Sequence, residues 1–291
     1  MTLSKNAPRT ALPLVLFLVG FASFQHTSLA RRSTFVAGQT VQGSLTRLQF
    51  EIEKQAKRMS SAEIEERRDA VTRLGSMHHP EASRAVLPAL HDSVAIVRAT
   101  AASAILSLPH GESVGYLVPL LTDKDEFVRR EVAFALGKTH SQSAVQPLVE
   151  RLNSDKKDSV RGAAAVALGD LKDASATLSL AEILSPGYGT AARSSKKSKK
   201  GKDLFLWRAA AHSLGQIGSS AGVPALVTAL QDEKTPDDVR RESAFALGLI
   251  GDAAAIPALR SVEASRDPYL AEAANQAIRK IQRQSKPVSA N

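Results

Sequence analysis

A ten-residue pattern that keeps returning limits the fold of this chain more than any other feature. Val128-Arg129-Arg130-Glu131-Val132-Ala133-Phe134-Ala135-Leu136-Gly137 reappears as Val160-Arg161-Gly162-Ala163-Ala164-Ala165-Val166-Ala167-Leu168-Gly169 and as Val239-Arg240-Arg241-Glu242-Ser243-Ala244-Phe245-Ala246-Leu247-Gly248. Weaker copies run from Arg67 to Gly75, Val97 to Leu106, Leu206 to Gly215 and Leu270 to Arg279. The position held by Arg in the strong copies falls at 67, 98, 129, 161, 207, 240 and 271, with spacings of 31, 31, 32, 46, 33 and 31. One period with a single insertion of about 15 residues is the signature of a solenoid.

Each period predicts two helices. Val128, Val132, Ala135 and Leu136 share one face of a 3.6-residue helix, and Gly137 follows where a left-handed cap favours glycine. A second helix is expected to start at Pro147, Pro224 or Pro257, since proline suits the first helical position. Pro88 and Pro119 sit four residues later in their copies; they either kink those helices or mark later starts. An Asp closes the unit at 92, 123, 155 and 232. One such pair cannot bury its own apolar faces, so neighbours must stack. The expected fold is all-α, a right-handed superhelix of about six to seven helix pairs.

The Val-Arg-x-x-Ala-x-x-Ala-Leu-Gly helix, the Pro-x-Leu helix and the closing Asp resemble HEAT repeats of the phycobilisome-lyase-like subtype, over about residues 62–283. The resemblance implies a scaffold, a bilin lyase or a hydroxylase, since that family holds all three. It also implies a structural ladder in which Asp92, Asp123 and Asp155 pair with Arg98, Arg129 and Arg161, each six residues on. The fifth copy departs from it, with Trp207 in the Arg position; Trp207 is either packing beside the insertion or a binding anchor.

Composition sets the remaining bounds. The net charge of +9 is uneven: Lys5 and Arg9 give the first 30 residues +2, and residues 185–203 carry +5. The rest of the chain is nearly balanced, so no nucleic-acid face is expected. The absence of cysteine excludes disulfides and a thiol nucleophile. Lys5 and Arg9 precede an apolar run from Ala11 to Phe24, and Ser28-Leu29-Ala30 offers a cleavage site. Residues 1–30 therefore read as a cleaved secretory signal or, given Arg31 and Arg32, an uncleaved anchor. Both put the body outside the cytosol, periplasmic or extracellular, and the cleaved form leaves no transmembrane span.

Catalytic signatures are missing. The hydroxylase of the resembled family holds iron through His-Glu dipeptides, and none of the seven histidines here precedes Glu. His78, His79, His110 and His140 follow the ends of successive first helices, a spacing too wide for one zinc. The sequence reading is a non-enzymatic protein-binding scaffold without cofactor or metal; the alternative is a lyase-like or metal-dependent, hydroxylase-like enzyme. In such stacks the second helices are expected to line the concave face, offering Arg84, His91, Tyr116, Thr122, Arg151, Thr228 and Arg260 to a partner. The insertion, with Lys196, Lys197, Lys199 and Lys200, reads either as a solvated loop or as a contact for an anionic surface or polymer. A capping helix is expected within residues 31–61, and residues 284–291 as a frayed tail.

Overall fold

A computed structural model describes residues 46–185 and 204–284. The chain divides into two contact units, residues 1–51 and 52–291. Of the first, residues 46–51 are described; they open a helix that runs over 46–58 (α1). The repeats all lie in the second unit.

The recurring pattern forms the motif helices α2 (Ile64–Ser76), α4 (Ala95–Ala104), α6 (Glu126–Lys138), α8 (Asp158–Leu171), α10 (Leu204–Ile217), α12 (Asp237–Ile250) and α14 (Pro268–Gln284). Between them lie the second helices α3 (Pro80–Val86), α5 (His110–Leu117), α7 (Val145–Ser154), α9 (Thr177–Ile183), α11 (Val223–Gln231) and α13 (Ile256–Arg260). Six pairs and a last single helix stack in sequence, each motif helix against the next, with no strand among the described residues. The protein is an all-α solenoid.

Its core is aliphatic. Leu74, Leu90, Leu136, Leu148, Leu168, Leu180 and Leu206 are fully buried between the layers, joined by Val128, Val160 and Val239 from the head of the motif. No aromatic side chain is buried among the described residues. Small residues set the spacing of the motif helices. A Cβ added at Gly137 would lie 2.7 Å from the Ala167 Cα, and one at Gly215 2.8 Å from the Ala246 Cα. Gly75 meets Ala104 and Gly248 meets Ala277 in the same way. Only glycine lets these backbones approach so closely.

That contact corrects the role expected of Gly137. It lies inside α6, buried against the next helix, and is no left-handed cap. The left-handed residue comes eleven places after the motif Arg position: His78, His140, Lys172, Gly218 and Gly251 all have positive φ. These motif helices therefore run one or two residues past the glycine of the Leu-Gly signal.

The motif helices pack closely on one another throughout, whereas successive second helices, most of them shorter, touch lightly. Motif helices and second helices thus form two layers with separate exposed surfaces.

The second helices also start differently. α7, α11 and α13 each follow a 3-10 turn (Gln142–Ala144, Ser220–Gly222, Ala253–Ala255), so Pro147, Pro224 and Pro257 fall after the first position. In the first two repeats the 3-10 segment comes last, at Leu87–His91 and Val118–Thr122, beginning one residue before Pro88 and Pro119. Each proline removes a main-chain donor and the helix tightens there.

Candidate partner-binding face

Two polar systems run along the stack, one holding repeats together and one facing outward. The first is the ladder. Arg98 forks onto Asp123, Nε and Nη2 each 2.8 Å from a carboxylate oxygen, with side chains 7% and 9% exposed. Arg67 does the same to Asp92 and Arg129 to Asp155. The carboxylate thus belongs to the Arg 25 or 26 residues earlier, not to the Arg six residues later. The later Arg meets only the main chain: Arg98 Nη1 donates to the Asp92 carbonyl at 2.8 Å, and Arg129 Nη1 to the Asp123 carbonyl at 2.9 Å. The reason is local. Each Asp folds back to accept the main-chain N–H two residues on, at Val94, Asp125 and Lys157. That turn aims its carboxylate at the preceding motif helix.

The forks hold their acids ionised. The Arg67 hydrogen bond is the largest influence on Asp92 and lowers its pKa. For Asp123 and Asp155 burial is the largest single influence and pushes upward, but the Arg fork and the turn N–H overcome it, leaving both below the ordinary value.

Arg161 donates from Nε to the Leu152 carbonyl and from Nη1 to Asp158. Arg240 likewise donates to the Leu230 carbonyl, and its neighbour Arg241 takes Asp267. In the fifth repeat Asp232 keeps its turn bond from Lys234, but Trp207 supplies no fork.

The second system is a stripe along the exposed face of the motif-helix layer. Four motif helices leave three positions spaced i, i+3 and i+7 turned from the core, whereas α4 and α8 bury Ala99 and Gly162 at the middle one. The outward-turned positions are Glu65, Arg68 and Thr72 in α2; Phe127, Arg130 and Phe134 in α6; Phe205, Arg208 and His212 in α10; Asp238, Arg241 and Phe245 in α12. Tyr269 continues the row from α14, 71% exposed. The Arg130 guanidinium lies 4.9 Å from the Phe127 ring centre, and that of Arg241 5.3 Å from the Tyr269 ring. His212 Nδ1 meets Glu242 Oε1 at 2.8 Å. Five of the eight aromatic residues described lie here, half or fully exposed. The sequence signal for this surface was present: Arg-Arg-Glu-x-Ala-Phe occurs twice, at 129–134 and 240–245, and neither Phe fits the core period.

The residues expected at a partner surface lie on the second-helix layer. Arg84 is exposed and bridges to Glu112 at 3.3 Å. His91 and Arg260 end exposed helical segments, and Tyr116 is exposed on α5. Thr122 and Thr228 are exposed, their hydroxyls donating to the carbonyls of Pro119 and Pro224. Arg151 is half-buried and turned onto Ser154. The structure does not gather these residues into one site. Thr228 alone lines a cleft, an open space of about 410 Å³ where α9 and α11 splay apart, with Leu178, Ala181, Glu182 and Pro224. Leu178, 72% exposed, stands out of register with buried Leu180 and Ile183, the mark by which the cleft could have been found. Lys196, Lys197, Lys199 and Lys200 lie outside the described residues, as do residues 1–30. No cluster of three or more metal-ligating side chains occurs among the described residues, and no helix there is long and apolar enough to cross a membrane.

Comparison with known proteins agrees with this architecture. The HEAT-repeat family model matches residues 85–169, 114–192 and 206–279, together more than half of the chain. The chain belongs to the HEAT-repeat family. No curated protein matches it significantly. Among solved structures, the Escherichia coli protein YibA is 21% identical, covering 81% of this chain and 82% of its own at a TM-score of 0.54. The CpcE–CpcF complex of phycocyanin lyase from Nostoc is 20% identical, covering 82% and 89%, with a TM-score of 0.47. Human deoxyhypusine hydroxylase is 19% identical, covering 83% and 99%, with a TM-score of 0.38. These likenesses concern the fold.

Proposed function

We propose that the protein is a non-enzymatic scaffold that binds a protein partner on the exposed stripe of its motif helices. The observation that carries this reading is the placement of Phe127, Phe134, Phe205, Phe245 and Tyr269, with Arg130 and Arg241 stacked on two of them, on one solvent-facing row. A chain that leaves its aromatics out of an aliphatic core spends them on something else, and Phe, Tyr and Arg are enriched where protein interfaces form. The recurring Val-Arg-x-x-Ala-x-x-Ala-Leu-Gly pattern supports reading the chain as a non-catalytic member of the phycobilisome-lyase-like subtype. The N-terminal segment supports work outside the cytosol, and the basic insertion supports a second, electrostatic contact with an anionic partner or surface.

The test is capture of the partner from the extracytoplasmic fraction by the full chain. Phe134→Ala with Phe245→Ala should abolish capture while leaving the melting temperature nearly unchanged. Arg84→Glu with Arg260→Glu, on the second-helix layer, should leave capture intact. The opposite pattern would overturn the assignment of the face. A mature protein whose N-terminus lies at or near Arg31 is the expected result for export.

A further inference from the structure

Among the described residues, one closing carboxylate of the ladder is reached by no guanidinium. In three repeats the closing Asp receives both the turn N–H two residues on and a two-pronged guanidinium from the motif Arg. Asp232 closes the fifth unit in the same way, half-buried and accepting the Lys234 N–H at 2.9 Å. Its motif position, 25 residues earlier as in the Arg98–Asp123 pair, holds Trp207. Among the described residues no cation pairs with Asp232; Arg240, the nearest motif Arg in sequence, is held by the Leu230 carbonyl and Asp237.

An acceptor of this kind is selective. The turn fixes the carboxylate's orientation, and in the sister repeats that orientation fits a planar fork, which lysine cannot present. The residue that displaced the native fork is the side chain whose ring best attracts a guanidinium. Trp207 starts from the position whose side chain reaches the closing Asp in three other repeats. The indole is half-buried, leaving part of the ring accessible. An aromatic plane at the donor position of a rung and an oriented carboxylate at its acceptor position make up a guanidinium site.

We propose that Asp232 and Trp207 together receive an arginine side chain of the bound partner. The fork replaces the rung that this repeat lacks, and the partner's arginine completes the ladder from outside. The assignment rests on the scaffold reading only for the source of the arginine; the pairing itself is read from the repeats.

The chain's single tryptophan is its own reporter. The full chain would be titrated with N-acetyl-arginine methylamide, following Trp207 emission and the Lys234 amide resonance. Saturable changes in both are expected, at least about tenfold weaker for the lysine analogue and absent for the uncharged citrulline analogue. Asp232→Asn should weaken arginine binding by about tenfold or more without moving the melting temperature. Trp207→Arg should fill the site from within and remove the Lys234 response; should that variant fail to fold, Asp232→Asn still decides. Non-saturable changes, an equal response to citrulline, or unaltered binding in Asp232→Asn would each overturn the site. The small probe separates the two readings. Lost arginine binding with stripe-dependent capture intact defeats this inference alone, and the reverse defeats the face alone.

Discussion

The stretch from α2 to α7 and the stretch from α8 to α14 are built on one motif yet joined differently. In the first, every motif Arg forks onto the Asp that closes its unit. In the second, among the described residues, Asp232 finds no such Arg, and Arg241 rather than the motif's Arg240 reaches Asp267. The break falls in the repeat that follows the insertion. The close backbone contact does not fail there: Gly169 faces Ser213, whose hydroxyl reaches back to the Ala165 carbonyl at 2.8 Å, and Gly215 faces Ala246. The contrast separates what the solenoid needs from what it merely uses. Small-residue packing carries the stack across the insertion, and the polar ladder is an edge reinforcement that can be interrupted.

The sharpest way to break this view is to spoil the packing in both stretches. Gly137→Val and Gly215→Val each force a branched side chain against the backbone of the next motif helix, at Ala167 and Ala246. Each should cost about 3 kcal/mol, the upper end for overpacking. Chemical denaturation of the two variants checks this. A small loss at Gly215 alone would mean that the second stretch is held by something else.

Ladder substitutions should instead divide the stretches. Arg98→Ala strips Asp123 of its fork in a nearly buried setting and should cost about 2–3 kcal/mol, since the turn N–H remains. Asp232→Asn, with no fork to lose, should stay within about 0.5 kcal/mol. Acid offers the same comparison without mutation. Asp92, Asp123 and Asp155 have pKa values below that of an unfolded Asp, about 3.9, so their contribution is complete above that pH. It is lost as pH falls through the folded values. Amide exchange should therefore show α2–α7 losing protection below about pH 4 before α10 and α11 do, α12 being tied to its own lowered acid, Asp267. Simultaneous loss would mean that the ladder is not what distinguishes them.

The fold was legible because periodicity is written in residue types: Val, Ala and Leu at fixed offsets predict helices whose faces cannot be buried singly. The site was much less so. How near two motif helices come is set by Gly-Ala pairs that look in the sequence like helix ends, as Gly137 does. The ladder was half visible. Asp and Arg recur in step, but a six-residue and a 25-residue pairing give the same recurrence, and only the direction in which the turn aims each carboxylate separates them.

The smallest contrast lies at the left-handed cap. In the first stretch that position holds His78 and His140, at φ 48° and 51°; in the second, beyond Lys172, it holds Gly218 and Gly251. A residue with a Cβ loses about 1 kcal/mol or more in this conformation, whereas glycine loses more backbone entropy on folding. The two terms oppose each other, so His140→Gly should stabilise by about 0.5 kcal/mol, a rise of one or two degrees in melting temperature. Gly218→Ala is the clean converse, because a Cβ there meets nothing within 4 Å and only the backbone conformation is at stake. It should destabilise by about 1 kcal/mol. If His140→Gly destabilises instead, the imidazole makes a contribution at that turn that outweighs its strain. The first stretch would then carry a second reinforcement at its caps, beside the one along its edge.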